Sequence, residues 1–465
     1  FEHISHDSSS GGGAISFVEA SDNNNNKNYV SIQSCSFYDI STTNSGGAIH
    51  FESKKELKID DCSFEQIHSN KGSNSIYVKK SDLDMVTINS CKFFDCKNDQ
   101  YSYQVELSVP NLEFNYNSFT FSDKNCGCVK LDYIGKHTFF GNTFTNAKII
   151  HDNVEQGVGI SFVSYDNPTY SITIENNTFE NIMGTMRGRC IFIQSYGKNE
   201  IELKNNTIQH CPAGGPLMGI NFLEKHDSFK IETFNFIENT VLDTFDEIFG
   251  CTPQIWIQNT FNEKKIGNPL SLAFYKCNFI ENNNPKSGGG LRFGSTMYSA
   301  NIKVFLYECE FIGNIAENKG SAIYVQSYQG LFCQQCKFKK NKSNQKNEPV
   351  YIETVFYIKD PDSSNNLELP SDLERSPEIT FSKCIFEDIE KSDANEIMIQ
   401  NSANSPVEIL ECNFNDCFVT EFIISINCDA KQVHVNNCSF IFSNEDESSK
   451  AFYSNSCIFI KDFVI

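Results

Sequence analysis

A short phrase recurs along this chain at a nearly constant spacing. It usually begins with Cys or Asn and carries an aromatic residue two positions later, as in CSFYDI at residue 35, CNFIEN at residue 277 and CSFIFS at residue 438. Successive copies begin 27, 29, 26, 25, 35, 29, 28, 43, 32, 27, 48, 28 and 26 residues apart. A fixed period of this kind predicts a solenoid, in which each repeat contacts only its neighbours.

Short runs of alternating β-forming residues flank the phrases. Met85-Val86-Thr87-Ile88 precedes one copy, and Gly46-Gly47-Ala48-Ile49-His50-Phe51 follows another. Alternation with a period of two predicts half-buried strands, and no window keeps a helical spacing for long. Two or three short strands in each coil, separated by Asn, Ser, Asp and Gly turns, predict an all-β fold. The expected architecture is a single right-handed parallel β-helix (solenoid) of about 15 coils over residues 1–465, with three loop insertions.

The third position of the phrase predicts a stack of phenylalanine rings in the core. Parallel strands stack in register about 4.8 Å apart, so the same position of successive coils forms a ladder. Phe occupies this position in thirteen of fourteen full copies, and Ile208 is the exception. Stacked rings bury a large apolar area in each coil. The predicted ladder residues are Phe37, Phe64, Phe93, Phe119, Phe144, Phe179, Phe236, Phe279, Phe311, Phe338, Phe386, Phe414 and Phe440.

The first position of the phrase predicts two further kinds of ladder. Cys stands there in nine copies, including Cys35, Cys62 and Cys91, and Asn stands there in four consecutive copies. An Asn ladder gains amide hydrogen bonds along the stack, whereas stacked cysteines act as small hydrophobic residues. Because ladder side chains point the same way, they suit disulfide geometry poorly, and most of the 19 cysteines are expected to be buried free thiols. The four predicted ladder asparagines are Asn117, Asn142, Asn177 and Asn206.

Two motifs together resemble a known repeat. Gly46-Gly47-Ala48-Ile49 fits a GGA[IL] strand, and the segment from Phe279 to Asn282 fits the pattern FxxN. The combination resembles the polymorphic outer membrane protein repeat and the related right-handed β-helix surface proteins of protists, over nearly the whole chain. The resemblance implies an exposed passenger domain used for adhesion or coat structure. The chain departs from the pattern where Ile replaces the final Asn, at Ile40, Ile67, Ile182 and Ile389.

The charge balance bears on the partners of the chain. It has 59 acidic residues against 38 Lys and Arg, a formal net charge of −21 at pH 7. Such a charge favours solubility and disfavours nucleic acid and anionic membranes, and no apolar run reaches membrane-spanning length. The expected partners are other protein chains, including copies of itself stacked end to end, and host or matrix glycans. Neither nucleic acid nor direct membrane insertion of this segment is expected.

The repeat runs into both termini. The chain opens on FEHI, which resembles the tail of an earlier copy, and it ends in a strand-like run. Residues 1–465 are therefore expected to be a fragment of a longer chain. A cell-surface or extracellular location is expected, and the sequence leaves a cytoplasmic one open. Sequons at Asn176, Asn205, Asn341 and Asn437 are candidates for glycosylation, and Asn176 and Asn205 are expected at turns.

Three long steps predict loop insertions at about residues 145–176, 237–276 and 341–383, where function is most easily added. The second holds the single tryptophan, Trp256. A parallel β-helix can also carry a polysaccharide lyase or a glycoside hydrolase, which needs convergent carboxylates or a cationic base in one groove. The residues that best fit this alternative are Arg187 or Arg189 with Asp152 and Asp166.

The sequence favours a non-enzymatic structural or adhesive surface protein, acting as a rigid spacer or coat element that can assemble end to end. No catalytic residue, metal ligand or cofactor is predicted. Passive carbohydrate binding along the solenoid through Tyr and Trp side chains is the remaining alternative.

Overall fold

The computed structural model consists of short strands joined by tight turns, and no helix occurs among the residues that it describes. These residues are 1–6, 11–18, 29–70, 72–79, 85–98, 103–122, 126–132, 135–149, 157–163, 170–184, 188–195, 200–213, 216–222, 228–241, 255–259, 270–293, 302–326, 330–344, 350–354, 378–392, 397–401, 406–419, 422–428, 433–441, 450–454 and 458–461. They form two compact units, Phe1–Lys225 and His226–Ile465.

The coils of the first unit contribute strands to three faces. The first face precedes the phrase and comprises Tyr29–Gln33, Glu56–Asp60, Val86–Asn89, Asn111–Asn115, Lys136–Phe140, Ser171–Glu175 and Glu200–Lys204. The second face carries the phrase and comprises Glu2–His6, Ser36–Thr42, Ser63–Glu65, Lys92–Phe94, Ser118–Thr120, Thr143–Thr145, Thr178–Glu180 and Thr207–Gln209. The third face comprises Ile15–Val18, Ile49–Glu52, Ile76–Val78, Tyr103–Leu107, Gly127–Leu131, Ile160–Val163, Ile191–Ser195 and Met218–Phe222. Two-residue strands mark the corner between the second and third faces, at His68–Ser69, Lys97–Asn98, Lys148–Ile149, Met183–Gly184 and Pro212–Ala213.

The second unit repeats this plan. Its first face comprises Ser228–Glu232, Leu270–Tyr275, Ile302–Tyr307, Gly330–Gln334, Glu378–Ser382, Val407–Leu410, Val433–Asn436 and Ile458–Lys461. Its second face comprises Asn235–Ile237, Asn278–Ile280, Glu310–Ile312, Lys337–Lys339, Ile385–Ser392, Asn413–Val419 and Ser439–Ile441. Its third face comprises Ile255–Asn259, Leu291–Phe293, Ile323–Gln326, Val350–Thr354, Ile397–Asn401, Phe422–Cys428 and Lys450–Ser454. The corner strands are Thr240–Val241, Asn283–Asn284, Ile315–Ala316 and Lys342–Ser343.

Neighbouring coils pair in parallel and in register. Val86 of one coil faces Leu57 of the coil before it and Leu112 of the coil after it. Burial alternates along the strand Val86–Asn89, so that Val86 and Ile88 point into the core. Side chains alternate between the two sides of a strand, which is why a period-two sequence packs one row against the core in every coil.

Sharp bends at the corners let the chain turn from one face to the next. The residue before each phrase takes up a left-handed conformation, as at Asp61 (φ 52°), Ser90 (φ 54°) and Asn176 (φ 58°). At the third-face corner the same requirement is met by Gly46 (φ 72°), where an added Cβ would lie 2.5 Å from the backbone oxygen of Ile49. Glycine tolerates both the positive φ and the close approach of the backbone.

The all-β parallel solenoid predicted from the sequence is confirmed. Among the described residues, the first face has seven strands in the first unit and eight in the second. Each of the three segments assigned to insertions includes regular strands. Ile160–Val163, Ile255–Asn259 and Val350–Thr354 belong to the third face, although they lie inside the segments assigned to insertions.

Candidate functional site

The phenylalanine ladder runs through the second face of each unit. In the first unit, ring centroids of successive coils lie 4.4–5.2 Å apart from Phe37 to Phe179, and Phe1 stacks on Phe37 at 5.0 Å. In the second unit, the spacing from Phe236 to Phe440 is 4.6–5.1 Å. The ladder rings are buried, and Ile208 takes the same place in its coil. Offset stacking of this kind adds attraction to the apolar burial.

The four first-position asparagines form a continuous hydrogen-bonded ladder in the first unit. The backbone N–H and the Nδ2 of Asn142 both donate to Oδ1 of Asn177, at 2.9 Å each. Asn177 makes the same pair of bonds to Asn206, at 3.0 Å each, and Asn117 makes it to Asn142. Each Nδ2 also donates to a backbone carbonyl of an earlier coil, such as Phe139 O for Asn177 at 3.0 Å. Because these amides are buried, each bond satisfies a group that water cannot reach.

A second asparagine ladder, which the sequence reasoning missed, lies in the second unit at the sixth position of the phrase. Asn282 donates to Oδ1 of Asn314 from its backbone N at 3.1 Å and from Nδ2 at 3.0 Å. Asn239 and Asn341 extend the same pattern in the two directions. The FxxN motif was the signal in the sequence that could have predicted this ladder, because its Asn recurs once in each of four successive coils. Its geometric meaning is the same as that of the first ladder: an internal row of fully bonded amides.

The cysteines are placed as predicted. None of the sixteen described cysteines forms a disulfide, and all except the half-buried Cys35 are buried. The ladder thiols donate to backbone carbonyls, as Cys62 Sγ does to Asp60 O at 3.2 Å and to Ile32 O at 3.6 Å. Burial raises the pKa of the Cys96 thiol to about 11, so this thiol stays protonated at neutral pH. Cys251, Cys428 and Cys457 lie outside the described side chains.

The candidate sequons divide into two groups. Asn176, Asn205 and Asn437 occupy the left-handed turn position before the phrase, and Asn176 and Asn437 are exposed. Asn341 is buried within the sixth-position ladder, where its Nδ2 donates to Phe311 O at 2.9 Å. Because this Nδ2 is buried, the folded chain does not present Asn341 at its surface for glycosylation.

Of the four residues of the hydrolase or lyase alternative, the structure describes only Arg189. Arg189 is only 1% exposed and lies inside the first unit, so the expectation that it could act at a reactive surface is wrong. Arg187, Asp152 and Asp166 lie outside the described residues. Within the described ranges, no cluster of three or more His, Cys, Asp or Glu side chains is arranged to hold a metal ion.

An outward-facing group of four aromatic rings lies on the first face of the second unit. Tyr275 stacks on Tyr307 at 4.8 Å, and Phe305 stacks on Phe332 at 4.8 Å. Phe305 and Tyr307 are nearly parallel, with 3° between the ring planes and 6.3 Å between centroids. All four rings are half-buried. We call these four residues the aromatic cluster.

Two lysines border the aromatic cluster. Lys230 Nζ lies 4.6 Å from the Tyr275 ring centroid, and Lys303 Nζ lies 5.8 Å from that of Phe332. Lys230 also forms an ion pair with Glu232 at 2.8 Å. Aromatic faces edged by charged donors and acceptors are typical of surfaces that bind ligands with both apolar and polar sides. Trp256 is in the strand Ile255–Asn259, but its side chain lies outside the described set.

Comparison with known proteins finds no matching family model, no matching curated protein and no matching solved structure. In the part of the chain that the structure describes, no helix is long and apolar enough to cross a membrane.

Proposed function

We propose that this chain is a non-enzymatic structural or adhesive segment of a surface protein, serving as a rigid spacer or coat element. The proposal rests on the Phe and Asn ladders, which link successive coils of a unit through buried contacts. In a solenoid, such nearest-neighbour contacts set both stability and stiffness. The resemblance to the polymorphic outer membrane protein repeat supports the same conclusion.

The net charge of −21 is consistent with exposure to solvent over a large surface. It also favours protein or glycan partners over nucleic acid. Self-association by end-to-end stacking belongs to the same proposal, since parallel strand edges can pair with another copy.

Electron microscopy of the purified protein over a range of concentrations tests the structural part of the proposal. Filaments would favour a coat polymer, and single particles would favour an adhesive spacer. An assay for new reducing ends or unsaturated products on a panel of polysaccharides tests the non-enzymatic part. Turnover of any of these substrates would contradict the proposal.

Carbohydrate binding is a second candidate function, and the aromatic cluster is the observation that favours it. A pyranose has apolar C–H faces and a rim of hydroxyl groups, which match aromatic rings bordered by Lys230 and Glu232. Because the cluster spans three successive coils, it suits an oligosaccharide better than a single sugar.

Titration calorimetry with a panel of oligosaccharides tests this second candidate. Tyr275→Ala together with Tyr307→Ala should weaken binding by about tenfold or more, whereas Tyr29→Ala, which removes a tyrosine 68% exposed in the first unit, should leave binding unchanged. Equal binding by both variants, or no binding by the wild type, would contradict it.

A further inference from the structure

Arg189 is a buried cation in the first unit. It lies at the corner between the second and third faces, where its carbonyl accepts from Val158 N at 2.7 Å and its backbone N donates to Pro216 O at 3.1 Å. Its side chain is only 1% exposed, and Nε, Nη1 and Nη2 are all buried without a hydrogen-bond partner. A guanidinium has five N–H donors and no acceptor, so the side chain alone cannot satisfy itself.

Among the residues that the structure describes, no acidic side chain acts on Arg189. The titratable groups that act on it are the thiols of Cys190 and Cys211, whose sulfur atoms lie 3.9 Å apart. Burial raises the pKa of the Cys190 thiol well above its ordinary value, so this thiol is neutral at pH 7. Gly184 packs against the side chain, because a Cβ there would lie 3.5 Å from Arg189 Cδ and 3.1 Å from Val158 Cγ2.

The charge on Arg189 nevertheless persists at neutral pH. Burial lowers the pKa of the guanidinium to about 9, which still leaves the side chain protonated at pH 7. Buried charges in proteins are paired or hydrogen-bonded, since an isolated one loses its hydration without compensation. A neutral water could accept a hydrogen bond from the guanidinium, but it would not balance the charge.

We propose that Arg189 binds one small monovalent inorganic anion, of the chloride class, within this corner of the first unit. A single positive charge calls for a single negative one, and the closed surroundings of Val158, Gly184 and the two thiols favour a small ion over an organic acid. Because the site is enclosed, the anion enters when the unit folds and acts as a structural ligand.

Equilibrium unfolding in urea at constant ionic strength tests the proposal, with potassium chloride replacing potassium gluconate stepwise. An anion that binds only the folded chain stabilises it. Once the anion concentration exceeds the dissociation constant, the folding equilibrium constant rises in proportion to that concentration. A plot of the logarithm of this constant against the logarithm of chloride concentration should therefore reach a slope of about one.

The matched variants are Arg189→Met and Arg292→Met. The first should lower the slope to about zero, because it keeps an apolar stem and removes the cation. The second should keep the wild-type slope, since Arg292 is half-buried over the Tyr324 ring, 5.2 Å from its centroid, in the second unit. Equal stability of the wild type in the two salts, or an unchanged slope in Arg189→Met, would overturn the proposal.

If Arg189→Met does not fold, the wild type alone decides the question. Crystals grown with sodium bromide should show an anomalous scattering peak within hydrogen-bond distance of the Arg189 guanidinium. Bromide found only at the protein surface, with no peak in this corner, would overturn the proposal.

Discussion

Asn177→Ala tests whether the buried amide ladder carries much of the stability of the first unit. The substitution removes the Oδ1 that accepts two 2.9 Å bonds from Asn142. It also removes the Nδ2 that donates to Phe139 O and Glu175 O at 3.0 Å each. The Asn142 backbone N–H then loses its partner in a site that water cannot reach, and the Phe139 carbonyl loses a donor.

A buried polar group left without a partner costs about 1–3 kcal/mol. Two or three such groups give an expected loss of about 3–6 kcal/mol in the free energy of unfolding, which is a large part of the stability of an ordinary domain. Urea unfolding followed by far-ultraviolet circular dichroism measures it.

Asn89→Ala is the control in the same unit. Its Nδ2 makes one 3.3 Å contact with Asp60 Oδ1 at a half-buried position, so its removal should cost about 1 kcal/mol or less. If Asn177→Ala loses no more stability than Asn89→Ala, the ladder bonds do not contribute as argued.

Three further predictions concern other parts of the core. Phe311→Ala, which removes a buried ring stacked at 4.8 and 5.1 Å on its neighbours, should cost about 3–5 kcal/mol in urea unfolding, whereas Phe94→Ala, at a position 43% exposed, should cost well under half of that. Burial lowers the pKa of His50 below 6.5, so the unfolded chain binds a proton first and the free energy of unfolding should fall as the pH drops below about 6.5; His50→Gln should remove that part of the pH profile. Among the described cysteines, Cys35 should be alkylated fastest in the native protein, as read by peptide mass spectrometry, and equal rates at the buried thiols would refute the burial pattern.

Much of the fold can be predicted from the repeat phrase. A fixed period and a period-two alternation leave few ways to pack the chain, so the stacking of Phe279 on Phe311 and the bonding of Asn142 to Asn177 follow from their positions alone. The cysteines follow in the same way, since a ladder position fixes both burial and direction.

The corners are harder to predict, because their lengths vary and their side chains need not repeat. Tyr103 illustrates this, since its hydroxyl reaches Gly157 O at 2.9 Å, two coils further along the stack. Arg189 lies in register with Val158 and Pro216 of the neighbouring coils. Because Arg does not recur at this position, no ladder pattern in the sequence predicts a buried cation there. Asn341 matches a sequon, but the FxxN register places it inside the fold, where it is buried.

The central claim is that successive coils stack in parallel and in register, and methyl nuclear magnetic resonance of isoleucine-labelled protein tests it most directly. Ile160 pairs with Ile191, and Ile49 pairs with Ile76, although the partners are separated by a full coil in sequence. We expect a nuclear Overhauser effect between the methyl groups of each pair, assigned with single Ile→Val variants. Folded protein that lacks both cross-peaks, or that pairs Ile160 with a different coil, would contradict the account.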